Sequence, residues 1–69
     1  MSRDMSEIEV LESEIERLED EYWEVEKNRE TLELDDPDFE NKFQYYNDEL
    51  DSLEDEIQNL REELSWLTR

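Results

Sequence analysis

The spacing of apolar residues constrains the fold of this chain more than any other feature. Two runs of apolar residues advance in alternating steps of three and four, and Arg29 fills the one position that breaks the first run. The first run comprises Ile8, Leu11, Ile15, Leu18, Tyr22, Val25 and Leu32. The second comprises Phe39, Phe43, Tyr46, Leu50, Leu53, Ile57, Leu60, Leu64 and Leu67. This spacing marks the a and d positions of a heptad repeat and predicts coiled-coil helices.

A short segment around Pro37 separates the two runs. Proline is accepted in the first turn of a helix and disfavoured in its interior, and Asp36 before it suits a helix N-cap. We therefore predict a single all-α domain over 1–69. It is an antiparallel two-helix coiled-coil hairpin, with helices over about 6–33 and 37–67 and a turn over 34–36. The heptad phase continues through the turn, so one long kinked helix is the alternative, although an interior proline costs ~3 kcal/mol.

Aromatic side chains also fall outside the a and d positions. They are Trp23, Tyr45 and Trp66. Because they widen the apolar surface of the helices, we expect them to bury against a second copy and to form a homodimeric four-helix bundle. The alternative is that they anchor a different protein, since tryptophan and tyrosine are common hot-spot residues in interfaces.

Negative charge dominates the positions beside the apolar stripe. The chain has 25 acidic and 7 basic residues, a net charge of −18. Coiled coils stabilised by their flanking positions alternate the sign of charge there, whereas like charges repel and destabilise the compact state. We therefore predict that the flanking glutamates bind a positively charged partner. They are Glu14, Glu19, Glu21, Glu26, Glu49, Glu54, Glu56 and Glu63.

The density of this charge approaches that of DNA. Helices of about 30 residues are ~45 Å long, which gives about one net charge per 2.5 Å of axis, against one per ~1.7 Å in duplex DNA. Carboxylates held on helices are fixed in position, so the hairpin can compete with DNA for a basic groove. Adaptation to high salt is another interpretation of such acidity, but salt-adapted proteins favour small residues such as alanine, and this chain has none.

In size, acidity and helical pattern the whole chain resembles the small acidic proteins with which lytic phages disarm their hosts. One such type, from a phage of Bacillus, blocks the histone-like nucleoid protein HU. The resemblance implies a DNA mimic in the cytoplasm of a host cell. It would bind the basic DNA-binding surface of a host protein, not nucleic acid itself, and block DNA binding.

A second resemblance lies in the segment Asn47-Asp48-Glu49-Leu50-Asp51. It is similar to the Ser-Gln-Glu-Leu-Asp motif of the sporulation aspartyl-phosphate phosphatases, which are small two-helix hairpins. The match covers Glu49, Leu50 and Asp51, while Asn47 replaces the serine. This resemblance implies phosphatase activity toward a response regulator. A structural coiled-coil scaffold is a further alternative.

Composition argues against other chemistry. The chain contains no histidine, cysteine or glycine. It therefore lacks the usual general base, thiol nucleophiles and the glycine of calcium-binding loops. No apolar run approaches the ~18 residues of a membrane span. We expect a protein that is not an enzyme, holds no metal or cofactor and does not enter a membrane.

Overall fold

Two long helices form the molecule. The computed structural model describes residues 3–68, with side chains from residue 6 onward. Helix α1 spans Arg3–Glu30 and helix α2 spans Phe39–Leu67, and the two pack against each other along their length. The Cα atoms fill a rod of 57 × 14 × 12 Å. The predicted all-α helical hairpin is confirmed, because the chain reverses direction between α1 and α2 instead of continuing as one kinked helix.

The core of the hairpin is the predicted a and d stripe. Ile15 and Leu18 of α1 meet Leu53 and Ile57 of α2 in one cluster, and each keeps only 6–8% of its surface exposed. Half-buried residues extend this cluster in both directions: Tyr22, Val25, Leu60 and Leu64. The heptad spacing brings these side chains together because successive a and d residues lie on one side of a helix.

Three of the four helix ends differ from the predicted ones, whereas α2 ends at Leu67 as predicted. Helix α1 starts at Arg3 and ends at Glu30, and α2 starts at Phe39, so the connection covers 31–38 instead of 34–36. After Glu30 the backbone bonding tightens, because the N–H of Leu32 donates to the carbonyl of Arg29 at 3.3 Å. Pro37 disfavours helical conformation at the residue before it and lacks an N–H, so the second helix begins only beyond it.

Arg29 crosses the seam near the end that carries the connection, here called the closed end. Its Nη1 donates a hydrogen bond to Oδ1 of Asn47 at 2.7 Å, and its guanidinium carbon lies 5.8 Å from the centroid of the Phe43 ring. The rings of Phe39 and Phe43 stack with centroids 5.6 Å apart. A cation at an a position therefore ties α1 to α2 through a cation–π contact and a hydrogen bond.

Asp36 organises the start of α2. One of its carboxylate oxygens accepts the backbone N–H of Asp38 at 2.8 Å, and the other accepts Lys42 Nζ at 2.8 Å. The cap position itself is Asp38, whose side chain makes no capping bond. Asp36 thus supports the first turn of α2 from two residues before the cap. The Lys42 hydrogen bond and the Asp38 N–H lower the pKa of Asp36, and the Asp36 carboxylate raises the pKa of Lys42.

Replacing Asp36 with asparagine is expected to remove a pH-dependent part of the stability while keeping the turn. Asparagine still accepts the Asp38 N–H, so only the charge on Lys42 loses its partner. A lowered Asp36 pKa stabilises the fold above the ordinary value of 3.8, and this stabilisation is lost as pH falls through the lowered pKa. A raised Lys42 pKa stabilises the fold below 10.5, and this stabilisation is lost as pH rises through the raised pKa.

Thermal melts across pH therefore test the Asp36–Lys42 pair. The wild type should melt slightly above Asp36→Asn between about pH 5 and 9, with the difference closing at either extreme. The neighbouring exposed Asp35, changed to asparagine, serves as the control for removing one negative charge. An equal effect from Asp35→Asn would show that general repulsion, not the Asp36 pair, governs this end of the rod.

Candidate protein-binding faces

The apolar seam divides the surface of the rod into two long faces. In a heptad repeat the e and g positions flank the a and d stripe on opposite sides, and antiparallel packing brings e beside e and g beside g. We define the glutamate face by the g-position glutamates of both helices: Glu7, Glu14, Glu21, Glu49, Glu56 and Glu63. We define the bridged face by these e-position residues: Glu12, Glu19, Glu26, Glu54 and Arg61.

An ion pair joins the two helices across the bridged face. Arg61 of α2 donates through Nη2 to Oε2 of Glu19 in α1. Both side chains are largely exposed, so the pair contributes little to stability, but it neutralises charge in the middle of this face. A shallow open groove beside the pair is lined by Glu19, Tyr22, Glu54, Ile57, Gln58 and Arg61.

The glutamate face consists of two rows with a regular seven-residue spacing. Its α1 row is Glu7, Glu14 and Glu21, and its α2 row is Glu49, Glu56 and Glu63. Glu49 is half-buried and the other five are exposed. Lys42 also occupies a g position, at the closed end, but its ammonium group bonds to Asp36. The g positions thus continue with Asn28 and Lys42 toward the closed end, and each row has three carboxylates in succession.

The eight glutamates predicted to bind a partner are divided between these faces. Glu14, Glu21, Glu49, Glu56 and Glu63 lie on the glutamate face, whereas Glu19, Glu26 and Glu54 lie on the bridged face. Glu26 and Glu49 are half-buried, and the other six are exposed. Sequence reasoning overlooked Glu7, although its spacing of seven from Glu14 was the available signal. The predicted residues thus form two surfaces, and each surface draws on both helices.

Exposed apolar side chains border the glutamate face. Val10 of α1 is 58% exposed, and in α2 Tyr45 is 60% and Trp66 is 65% exposed. All three occupy c positions, which adjoin g, so each lies three or four residues from a glutamate of this face. The carboxylate of Glu49 raises the pKa of the Tyr45 phenol, chiefly through its charge and then through a hydrogen bond. Tyr45 is therefore neutral and able to donate a hydrogen bond near neutral pH.

The third predicted aromatic residue, Trp23, lies elsewhere. Its b position adjoins the bridged face, and its indole ring is 60% exposed on the outer surface of α1. The ammonium group of Lys27 lies 5.2 Å from the ring centroid, at a distance typical of a cation–π contact. Trp23 therefore has a cation beside it, whereas Tyr45 has a carboxylate.

The charge density of the rod is lower than the sequence predicted. The connection of 31–38 extends the rod beyond the helix ends, to 57 Å. A net charge of −18 over this length gives about one negative charge per 3 Å, roughly half the axial density of duplex DNA. The charge is nevertheless held mostly on the two helices, and most of the carboxylates are exposed.

Other kinds of site find little support in residues 3–68. Within that range, no three or more acidic side chains converge as ligands for a metal ion. Neither described helix has the length and apolar character needed to cross a membrane. In comparisons with known proteins, no family model, no curated protein and no solved structure matches this chain. The geometry and charge of the two faces are therefore the basis for a functional proposal.

Proposed function

We propose that this hairpin is a DNA mimic that binds the basic DNA-binding surface of another protein and blocks DNA binding. The observation that carries the proposal is a net charge of −18 on a helical rod of 57 Å, with most of its carboxylates exposed on the two long faces. The partner we propose is a DNA-binding protein in the cytoplasm of a host cell, such as a nucleoid-associated protein. No catalytic step is part of the proposal.

The contacts made by the basic side chains support this proposal. Arg61 pairs with Glu19, Lys42 pairs with Asp36, and Arg29 bonds to Asn47. These basic side chains are engaged within the hairpin. They make contacts within the hairpin, while most glutamates of the two rows remain exposed to cations from outside. A coiled coil that served only as a scaffold has no need for such an excess of one charge, because like-charged flanks destabilise it.

A competition experiment tests the proposed function. A fluorescent duplex is bound to HU and to two basic DNA-binding proteins of unrelated fold, and the hairpin is added at physiological salt. The expected result is release of the duplex from at least one of them, with direct binding of the hairpin to that same protein. Neither a scaffold nor an aspartyl-phosphate phosphatase predicts this competition. If the hairpin and the duplex bind each protein without mutual weakening, the mimic proposal is wrong.

A further inference from the structure

We infer that the glutamate face, and not the bridged face, is the docking surface, and that its partner is a basic protein surface with apolar side chains among its cations. This inference rests on the proposed function and adds to it the side of the rod and the chemistry of the partner. Both faces are net negative, so total charge does not choose between them. The distribution of ion pairs and of exposed apolar side chains does.

The two faces differ in how far their negative charge is compensated. On the bridged face, Arg61 already satisfies Glu19, and an incoming cation would meet the positive charge of that guanidinium. On the glutamate face, each helix offers carboxylates at three successive g positions, seven residues apart. A basic partner therefore meets six glutamates there, with Lys42 held by Asp36 at the closed end. One further cation, the exposed Arg17, borders this face from α1.

Exposed apolar side chains also distinguish the two faces. Tyr45 and Trp66 lie three heptads apart on α2, about 30 Å along the helix, and both border the glutamate rows. Val10 borders them from α1. Large exposed aromatic side chains are the residue types that contribute most to protein–protein affinity. A simple polycation can offer such side chains only a cation–π contact, whereas a folded protein can also bury them against its own apolar surface. Their place beside the glutamates therefore favours a folded basic protein as the partner.

Charge complementarity also excludes a second copy from this face at low salt. A twofold pairing through the glutamate face would set glutamate rows against glutamate rows, because such an interface uses the same patch on both subunits. Like-charge juxtaposition of this kind opposes association. A basic protein replaces that repulsion with attraction, so the glutamate face is occupied by the basic partner under physiological conditions.

Matched charge reversals test the choice of face. The variant Glu14→Lys/Glu56→Lys alters the glutamate face, and Glu12→Lys/Glu54→Lys alters the bridged face. All four residues are exposed, one per helix in each variant, and both variants have the same net charge. Lysine is as good a helix former as glutamate, so circular dichroism should show unchanged helicity. At 0.15 M salt the screening length is ~8 Å, so charges on opposite sides of the rod act nearly independently.

Binding is measured to the DNA-binding protein, among HU and the two others of the competition experiment, that the hairpin displaces from DNA. Poly-lysine is the purely cationic reference. We expect the glutamate-face variant to weaken binding to the protein about tenfold or more and the bridged-face variant about twofold or less. Tyr45→Ala should weaken binding to the protein about fivefold. Trp23→Ala should leave binding to the protein nearly unchanged, and Tyr45→Ala should leave binding to poly-lysine nearly unchanged.

The possible failures are distinguishable. Equal losses from both charge variants, or a larger loss from the bridged-face variant, would overturn the choice of face while DNA competition still supported the mimic. If Tyr45→Ala leaves binding to the protein unchanged, the inferred apolar contribution to docking is wrong. A wild-type dimer at 0.15 M salt that Tyr45→Ala dissociates would also overturn the inference, because a second copy would then occupy the face. Absence of DNA competition by the wild type would reject the proposed function itself.

Discussion

Replacing Leu53 with alanine is expected to unfold most of the hairpin at room temperature. Leu53 lies in the central cluster and is only 8% exposed. Truncating a buried leucine costs ~2–5 kcal/mol, through lost burial and the cavity that remains. A domain of this size has about 3–10 kcal/mol of total stability, and repulsion among its carboxylates places this one toward the low end. Thermal and urea melts followed by circular dichroism measure the loss.

Leu34 provides the matched control for Leu53. The residue type and the substitution are the same, but Leu34 is 86% exposed in the connection. Leu34→Ala should therefore change stability by no more than ~0.5 kcal/mol. A Leu53→Ala protein that melts like the wild type would mean that the helices do not depend on the described core.

Added salt is expected to move two associations of the hairpin in opposite directions. The screening length shortens from ~10 Å at 0.1 M salt to ~3 Å at 1 M, so attraction to a basic protein weakens over this range. Repulsion between two hairpins weakens at the same time, and their exposed aromatic side chains can then bury against each other. We propose that the chain forms a homodimer under these conditions.

Two measurements follow the opposite trends. Binding to the displaced DNA-binding protein should weaken by about a hundredfold between 0.1 M and 1 M salt, as exposed charges are screened. Sedimentation over the same range should show a shift from monomer toward dimer. Poly-glutamate of matched charge is the control, since it should lose affinity for the basic protein in the same way but should not dimerise. A hairpin that stays monomeric at 1 M salt would refute the dimer.

The core could be predicted from the sequence because heptad spacing is a local property of a helix. Ile15, Leu18, Leu53 and Ile57 were all in the predicted stripe, and these residues form the cluster. The helix ends could not be predicted as well. The end of α1 depends on whether each backbone N–H bonds to the carbonyl four or three residues earlier, as Thr31 and Leu32 do respectively. The heptad spacing carries no information about that choice.

The two faces were harder to predict than the core. Grouping the glutamates by helix obscures the pairing, because Glu14 and Glu56 share a face while belonging to different helices. Only the antiparallel packing of α1 on α2 brings the two g rows together. The bridge from Arg61 to Glu19 then distinguishes the other side, and it joins residues 42 positions apart in the sequence.

The regular spacing of the glutamate rows repeats the same pattern of charge along the rod. Glutamates at every seventh residue recur about every 10 Å along each helix. Each row has three glutamates, so a basic surface that shifts by one repeat still meets two of the three in each row. Such a shift keeps part of the electrostatic attraction but moves the partner away from Tyr45 and Trp66, so the apolar contacts select one position along the rod. Loss of a single glutamate then weakens the complex only gradually, because the remaining carboxylates still attract the partner.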